Sequence, residues 1–242
     1  YTPNGYVCGC VALAGAQIAR YWQFPTASRP SVSRACSVDG LPVTVSTKGG
    51  TYAWTSMPPY FGTLTDAQLA AIGRLCHDFG AATYMDWGCW GSGTGGFCLA
   101  EAFADVFGYA NARAFVGGRN AAVPDAVVEK TVFANLDAGC PVSLGIDGHM
   151  VDADGYGFAG GVAYTHLNMG WEGSGDAWYN LPDVDASNGY SSTILDEIVY
   201  NVFPERTGDL LSGRVLDSSG TPVPGAAVRA VSGSDAATAA TD

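Results

Sequence analysis

The sequence has few basic residues and few histidines. Of its 242 residues, 11 are Lys or Arg, 23 are Asp or Glu and 3 are His, which gives a formal net charge of -12. An acidic surface repels the phosphate backbone of nucleic acids, so we expect no nucleic-acid partner. With so few imidazoles in the chain, the search for a general base is short.

Long apolar runs and metal-binding spacings are also missing. No run approaches the roughly 18 apolar residues of a membrane-spanning helix, so no membrane span is expected. The cysteines do not show the paired spacing of zinc sites, so we expect neither a metal nor a cofactor. They lie at positions 8, 10, 36, 76, 89, 98 and 140. The odd count leaves at least one thiol unpaired, and both core burial and a bridge between Cys89 and Cys98 are compatible with the sequence.

The chain does contain enough apolar and glycine residues for a folded, loop-rich domain, with 48% hydrophobic residues and 33 glycines. Helical periodicity predicts helices at residues 10–22, 66–79, 98–107 and 125–138. The tetrapeptide "TDAQ" is a capping box in which Thr65 caps the second helix and Gln68 reaches back, and Gly80 is expected to end that helix. The glycine-rich stretch at 85–96 is expected to be a loop.

After Gly139 the periodicity changes from helical to extended. Short apolar segments separated by glycine-rich turns predict an antiparallel sheet with strands within 141–147, 149–156, 163–171, 177–181 and 194–203. Helices followed by a sheet indicate an α+β domain.

The composition changes again at "PERTGD", residues 204–209, which has the character of a linker. The following stretch "LSGRVLDSSGTPVPGAAVRAV" resembles the opening of a carboxypeptidase-regulatory-like β-sandwich repeat. Such a sandwich needs about seven strands, and the remaining residues suffice for two or three. We therefore predict a domain at 1–206 and an incomplete β-sandwich module at 207–242.

The first predicted helix has a cysteine at its N-terminus. Nucleophilic catalysis by cysteine needs a thiolate, a neighbouring imidazole and a group that orients the imidazole. Free amide hydrogens and the helix dipole at an N-terminus stabilise a thiolate, and the backbone N–H there can also bind an oxyanion. Cys10 holds this position, with Cys8 just before it. Cys10 is therefore the candidate nucleophile.

The three histidines lie in different settings. His77 is on the second predicted helix, where a structural role is expected. His149 begins a strand directly after Gly148, and His166 lies inside an alternating strand that leads to Asn168. A cysteine near a helix and a histidine on a strand occur together by chance in many chains, so these residues alone assign no function.

Five motifs, at residues 9–25, 52–60, 85–96, 148–156 and 166–181, follow one another through the first 204 residues. Together they resemble the streptopain family of papain-like cysteine peptidases. "GCVALAGAQIARYWQFP" (9–25) is similar to the family's nucleophile helix, and "YAWTSMPPY" (52–60) is similar to its Tyr-x-Trp-x-x-x-x-Pro segment. "MDWGCWGSGTGG" (85–96) resembles its glycine–serine substrate loop. "GHMVDADGY" (148–156) and "HLNMGWEGSGDAWYNL" (166–181) are similar to its Gly-His and His-x-Asn-Trp-Gly-Trp blocks. The resemblance implies a papain-like fold, with a helical part that carries the nucleophile and an antiparallel sheet.

The resemblance also implies a role for each matching residue. Cys10 would be the nucleophile, and His149 the base that takes the thiol proton and later gives it to the leaving amine. Asn168 would hold the imidazole by a hydrogen bond, with Trp171 shielding that contact from water. His166 would be a sheet residue without a part in catalysis.

The sequence departs from the family pattern at two places. The family's Asn-Trp-Gly-Trp has Met169 at its second position here, so one tryptophan over the His–Asn contact is missing. The family also has a glutamine well upstream of the nucleophile that donates to the oxyanion, whereas nine residues precede Cys10, and Gln17 and Gln23 follow it. Because the first residue is Tyr1, we expect a mature or trimmed chain whose oxyanion glutamine lies on an upstream processed peptide that remains bound as a partner.

The glycine–serine loop is the expected substrate-binding element, because its backbone groups can pair with an extended peptide. The candidate substrate-binding residues are Trp87, Gly88, Trp90, Ser92, Gly93 and Gly148. The two tryptophans are either apolar walls of the site or core residues. As walls, together with the family resemblance, they favour a hydrophobic side chain two positions before the cut.

The resulting hypothesis is a secreted or cell-surface cysteine endopeptidase, made as a zymogen, that hydrolyses protein or peptide substrates through a Cys–His thioester mechanism. One alternative is a binding or adhesion protein that keeps the peptidase fold without turnover. Another is a papain-like amidase or acyltransferase that uses the same pair of residues with a different acceptor.

Overall fold

The computed structural model describes residues 1–59, 62–117, 123–204 and 208–241. Tyr60, which ends the Tyr-x-Trp motif, and residues 205–207 of the predicted linker lie outside the described residues. The chain divides into two compact units, Tyr1–Leu210 and Leu211–Asp242. The boundary predicted from the sequence lies between residues 206 and 207.

The first unit contains all the described helices. They are α1 (Cys10–Trp22), α2 (Asp66–Ala82), α3 (Gly96–Glu101), α4 (Asp125–Val128) and α5 (Ala134–Asp137), with short 3-10 turns at Pro3–Gly5 and Trp54–Ser56. Wider π-helical turns, Ala102–Phe107 and Glu129–Phe133, continue α3 and join α4 to α5.

The strands are β1 (Ser33–Val38), β2 (Leu41–Ser46), β3 (Asp86–Gly88), β4 (Gly91–Gly93), β5 (Arg113–Val116), β6 (Val142–Ile146), β7 (His149–Ala159), β8 (Val162–Asn168), β9 (Ala177–Tyr179), β10 (Val184–Asp185), β11 (Ser191–Ser192), β12 (Glu197–Tyr200), β13 (Ala227–Ser232) and β14 (Asp235–Ala240). They form one sheet of order β2-β1-β3-β4, one of order β5-β12-β6-β7-β8-β9, and the pairs β10-β11 and β13-β14.

The predicted first two helices are confirmed, with one correction at the end of the second. α1 has the predicted bounds, and Thr65 forms the complete capping box with Gln68 at the start of α2. Gly80 does not end α2, which continues to Ala82. A Cβ on Gly80 would lie 2.8 Å from the ring of Trp87. This glycine therefore makes room for a tryptophan and does not terminate a helix.

The glycine-rich stretch at 85–96 was expected to be a loop, but part of it forms the hairpin β3–β4. Trp87 pairs with Ser92 inside the hairpin, and β3 runs parallel to β1 through the pair Val38–Trp87. The side chain of Trp87 is fully buried. Burial of this large ring anchors the strand against the core despite the neighbouring glycines.

The six-stranded sheet contains the predicted segments and one strand, β5, that the sequence pattern did not indicate. Every neighbouring pair in it is antiparallel. One face, with Met150 and Val199, belongs to the hydrophobic cluster built by α1, α2 and α3. The other face, with Val151 and Ile198, belongs to a second cluster. The α+β prediction is thus confirmed, and α1 lies against the strand that begins at His149.

In the second unit the strands differ from the prediction. The segment after Leu211 was expected to begin with a strand, but it forms only an isolated bridge between Leu216 and Pro222. The hairpin lies further on, as β13 and β14, and most of its side chains are exposed. With little apolar surface buried here, little free energy is available to order a further strand.

None of the described helices is long and apolar enough to cross a membrane. Within the described ranges, no group of three His, Cys, Asp or Glu residues is arranged to hold a metal ion.

Candidate active site

A cleft of about 190 Å³ lies where the N-terminus of α1 faces the β6–β7 hairpin. Its walls are formed by Cys10, Val11, Ser92, Gly93, Thr94, Gly95, Gly145, Gly148, His149, Met150, Asp196 and Glu197. The structure therefore brings the candidate nucleophile and the candidate base, 139 residues apart in the sequence, to one cavity.

Cys10 is the first residue of α1, and Gly9 is the residue that caps it. The φ angle of Gly9 is 90°, and a Cβ there would lie 2.8 Å from the side chain of Met85 and 2.9 Å from the carbonyl oxygen of Ser92. Only glycine fits this position. The first backbone N–H groups of the helix have no acceptor within the helix, so they stabilise negative charge on a sulfur or oxygen near Cys10.

The turn before His149 positions the imidazole at the cleft. Asp147 and Gly148 have φ angles of 47° and 79°, and Ile146 pairs directly with His149. Two consecutive positive φ angles are those of a type I′ hairpin turn, and Asp-Gly is a favoured sequence for it. The turn chemistry therefore makes His149 the first residue of β7.

The imidazole of His149 is anchored by a backbone group. Its Nε2 lies 2.9 Å from the carbonyl oxygen of Met169. Because a carbonyl can only accept, Nε2 carries the hydrogen, and in the neutral ring Nδ1 is then left as a proton acceptor. Burial lowers the pKa of His149, and the hydrogen bond to Met169 opposes that shift. The neutral form, which a general base requires, is favoured.

Two aromatic rings enclose the imidazole. Trp171 stacks on His149 with ring centroids 4.4 Å apart and an angle of 9° between the planes. Tyr190 contacts His149 edge-on at 5.8 Å and Trp171 at 5.4 Å. Trp171 thus covers one face of the imidazole. No motif in the sequence marked Tyr190.

Asn168 is close to the site, but its described hydrogen bonds differ from the expected one. Its Oδ1 accepts from Nε2 of Gln17 at 3.2 Å and from the backbone N–H of Gly170 at 2.9 Å. The described partner of the imidazole is the carbonyl of Met169. Asn168 pairs with Asp152 across β8 and β7, three residues beyond His149, and this register turns its amide towards α1.

The departure at Met169 is compatible with its role in the site. The side chain is fully buried in the second hydrophobic cluster. Its N–H donates to Oδ1 of Asp176 at 2.8 Å, and its carbonyl holds His149. Both contacts use the backbone, so methionine serves as well as tryptophan. A backbone acceptor has no residue signature, which is why the sequence did not reveal it.

The candidate substrate-binding residues separate into two groups. Ser92, Gly93 and Gly148 line the cleft, whereas Gly88 and the two tryptophans are not among its lining residues. Trp87 is fully buried, so the reading of it as a wall of the site is corrected in favour of the core. Trp90 is fully exposed. The hydroxyl of Ser92 donates to the carbonyl of Val7 at 2.7 Å, which ties the β3–β4 hairpin to the segment before the nucleophile.

All seven cysteines are free thiols, so no bridge joins Cys89 and Cys98. Cys8 is partly buried and packs against the first hydrophobic cluster, which contains Cys76. A hydrogen bond between the two thiols lowers the pKa of Cys8. The same hydrogen bond raises the pKa of Cys76, and burial raises it further. Cys8 is therefore a packed neighbour of the candidate nucleophile Cys10.

The remaining histidines have carboxylate partners. His77 is buried, and its Nδ1 lies 3.0 Å from Oδ1 of Asp78. His166 lies on β8, the sheet position that was predicted, with Nδ1 2.6 Å from Oδ1 of Asp154.

Two acidic residues of the cleft were missed by the sequence reasoning. Oε2 of Glu197 accepts from the backbone N–H of Gly96 at 2.7 Å. Burial raises the pKa of Glu197 and also that of Asp196. Glu197 begins β12 and Asp196 precedes it, near the end of the first unit, where no spacing links them to Cys10 or His149.

Comparison with known proteins gives relatives for the first unit. The sequence profile of the peptidase C10 family matches residues 1–179. Streptopain of Streptococcus pyogenes is 26% identical over 209 residues, which cover 77% of this chain and 51% of that protein. The thiol protease/hemagglutinin PrtT of Porphyromonas gingivalis is 27% identical over 181 residues, which cover 72% of this chain and 20% of that protein. The chain thus spans about half the length of streptopain and about a fifth of the length of PrtT.

Solved structures show the same similarity in the fold. The active wild-type interpain A cysteine protease of Prevotella intermedia matches with a TM-score of 0.70 and 27% sequence identity, over 82% of this chain and 84% of that chain. A prointerpain A fragment of the same organism matches with a TM-score of 0.65 and 26% identity, over 83% of this chain and 65% of that chain. The fold is therefore that of a papain-like cysteine protease.

Proposed function

Since the chain belongs to the peptidase C10 family, we propose that it is a cysteine endopeptidase that hydrolyses protein or peptide substrates through a thioester on Cys10. The observation that carries this proposal is the shared cleft of Cys10 and His149. A scaffold without turnover has no need of a thiol at a helix N-terminus that faces an anchored imidazole.

In the acylation step, Nδ1 of His149 takes the proton from Sγ of Cys10. The thiolate attacks the carbonyl carbon of the scissile bond, and negative charge develops on the carbonyl oxygen. The backbone N–H of Cys10 and the N-terminal end of α1 stabilise that charge. The intermediate then collapses to a thioester as the protonated His149 gives its proton to the leaving amine.

In the deacylation step, His149 takes a proton from water as the water oxygen attacks the thioester carbon. Cleavage of the C–S bond releases the acid product, and the proton returns to the sulfur of Cys10. Hydrogen bonding to the carbonyl of Met169 keeps Nδ1 directed at the reacting atoms throughout. Stacking of Trp171 limits access of other water to the ring.

We assign Asn168 to positioning through the turn that follows it. Its Oδ1 accepts the N–H of Gly170, and this turn carries both the carbonyl of Met169 and the ring of Trp171. A second oxyanion donor from a glutamine outside the 242 residues stays a prediction. Gln17 is bonded to Asn168, and Gln23 follows the far end of α1.

We also propose that the protein acts outside the cell, as a secreted or surface protein, and matures from a zymogen. The similarity to prointerpain A supports a zymogen, and the similarity to a protease named as a hemagglutinin supports action at cell surfaces. N-terminal sequencing of the protein from culture supernatant, membrane and cytoplasmic fractions tests both, since a cytoplasmic protein without processing would contradict them.

Labelling with an epoxide inhibitor of cysteine peptidases, measured by intact mass, tests the proposed chemistry. We expect one inhibitor per chain, attached to Cys10. A digest of a peptide library should then show internal cleavage, whereas transfer to amines or release of ammonia alone would favour the acyltransferase or amidase alternative. A folded protein that neither labels nor cleaves would overturn the proposal in favour of a binding protein.

A further inference from the structure

The cleft that contains Cys10 has one acidic wall. Asp196 and Glu197 both line it, beside Gly145 and Gly148 of the β6–β7 hairpin. No lysine or arginine is among the cleft residues in the described part of the chain. The local negative charge therefore has no basic side chain of the protein to balance it.

The position of Glu197 is defined by its neighbours. One oxygen, Oε2, accepts the N–H of Gly96 at 2.7 Å, and a Cβ on Gly96 would lie 2.7 Å from that oxygen. A Cβ on Gly145 would lie 2.8 Å from Cβ of Glu197. Glycines at these two positions let the carboxylate sit at the cleft wall. The second oxygen, Oε1, has no partner among the described hydrogen bonds, which leaves it available to a ligand.

We propose that this wall is a subsite for a lysine or arginine side chain of the substrate, on the acyl side of the cut, with Glu197 as the specificity-determining residue and Asp196 as a second acidic contact. The inference rests on the proposed peptidase function and names its substrate class. A guanidinium or ammonium group supplies the donors that a carboxylate in a partly buried cleft requires. An apolar side chain at the same place would leave both carboxylates without a counter-charge.

Binding to the Cys10→Ala protein tests the subsite without requiring turnover. Fluorescently labelled peptides that differ only by Arg, Lys, Leu or Glu at one position before the cut are titrated against it, with each of the four positions before the cut scanned in turn. We expect Arg and Lys to bind about tenfold or more tightly than Leu at one position, with Glu the weakest. Equal or tighter binding of Leu at every position would overturn the inference.

Variants in the same Cys10→Ala background locate the effect. Glu197→Gln should lose the preference for Arg over Leu by about tenfold, and Glu197→Asp, which keeps the charge, should retain part of it. Asp105→Asn is the matched control, because it removes one negative charge from an exposed residue outside the cleft. If Asp105→Asn has the same effect as Glu197→Gln, the preference reflects the net charge of -12 and the subsite is rejected.

Kinetics of the parent enzyme give a second readout. In the ratio of kcat/KM for matched Arg and Leu substrates, the pH dependence of the catalytic steps cancels, because both substrates use the same Cys10 and His149. As the pH falls, protonation of Glu197 should reduce this ratio, at a pH above that of an ordinary glutamate since burial raises its pKa. The pKa of Asp196 is raised as well, so the same curve is measured in Asp196→Asn. A ratio that stays constant in the parent would contradict the proposal.

The outcomes distinguish this inference from the proposed function. Inhibitor labelling with no preference for basic residues would reject the subsite and leave the peptidase proposal intact. Preferential binding of basic peptides without labelling would support the subsite and reject the chemistry. If Glu197→Gln does not fold, as judged by circular dichroism, the scan of four positions on the Cys10→Ala protein still decides the question, because an effect of the net charge would favour Arg and Lys equally at every position.

Discussion

The side-chain amide of Gln17 donates a hydrogen bond to Oδ1 of Asn168 at 3.2 Å, across 151 residues of sequence. This contact joins α1 to the end of β8. The same oxygen accepts the N–H of Gly170 at 2.9 Å, so one amide connects the element that carries Cys10 to the turn that holds His149 through Met169. The relative placement of Cys10 and His149 thus depends on a contact that touches neither of them.

Asn168→Ala should lower kcat by about tenfold, with little change in KM, because it removes hydrogen bonds worth about 0.5–1.5 kcal/mol each but leaves the carbonyl of Met169 on the imidazole. Gln17→Ala should give a smaller loss, because it leaves the hydrogen bond between Asn168 and Gly170 in place, and the double variant should lose less than the product of the two. Steady-state kinetics on one fluorogenic peptide provide the comparison. A loss in Asn168→Ala as large as that in His149→Ala would show that Asn168 itself orients the imidazole.

Cys10→Ala should abolish both hydrolysis and labelling by an epoxide inhibitor, because it removes the nucleophile. Cys8→Ala should retain labelling, since Cys8 is a packed neighbour of Cys76. The intact mass of each variant, measured before and after exposure to the inhibitor, shows whether it has been labelled. If the label persists in Cys10→Ala and is lost in Cys8→Ala, the two roles are reversed.

His149→Ala should lower kcat by about 100- to 10,000-fold without unfolding, the usual range for loss of a general base. The control is His166→Ala, which removes a contact with the carboxylate of Asp154 that is partly open to solvent. Such a contact is worth about 0–1 kcal/mol, so turnover should be nearly unchanged. Large, equal losses from both folded variants would leave the base unassigned.

Gly9→Ala should weaken both folding and labelling. A side chain at a φ of 90° costs about 1–2 kcal/mol, and the new Cβ would lie 2.8 Å from the side chain of Met85. Gly5→Ala is a matched control, because Gly5 has a φ of 69° with nothing within 4 Å of a Cβ. The Tm of thermal unfolding and the rate of inhibitor labelling should both fall further in Gly9→Ala than in Gly5→Ala. Equal effects would mean that the contact with Met85 is unimportant.

Asp152→Asn should be more stable than the wild type, by a margin that grows as the pH rises. Asp152 is buried with Oδ2 unpartnered, and burial raises the pKa of this carboxyl. The carboxyl of Asp152 ionises near pH 3.8 in the unfolded chain, whereas in the folded chain it stays protonated to higher pH. The contribution of Asp152 to the free energy of unfolding is therefore fully present below pH 3.8 and is lost as the pH rises through the folded pKa. Asparagine does not titrate.

The measurement for Asp152→Asn is the Tm of variant and wild type between pH 3 and pH 8, about the range over which carboxyls of raised pKa ionise. The difference should be small at the acidic end and should grow with pH. Asp105→Asn, at an exposed position, should show no such growth. A difference independent of pH would mean that the buried carboxyl does not titrate differently in the folded state.

The sequence by itself determined the elements whose interactions lie within a few residues of one another. The helix that begins at Cys10, the capping box of Thr65 and Gln68, and the Asp-Gly turn before His149 all follow from local backbone chemistry. Even a resemblance at about a quarter identity is sufficient to align such motifs, because each is contiguous. Cys10 and His149 could therefore be selected from the sequence as the candidate nucleophile and base, and these roles stay predictions.

Only the tertiary structure decided which groups surround that pair. Trp87 lies in the core because Gly80 of another element leaves room for its ring. The partner of the imidazole is a backbone carbonyl, and any residue at position 169 supplies one. Glu197 reaches the cleft through the pairing of β12 with β6. Burial and hydrogen-bond partners depend on segments far away in the chain, and the pattern of neighbouring residues carries no information about them.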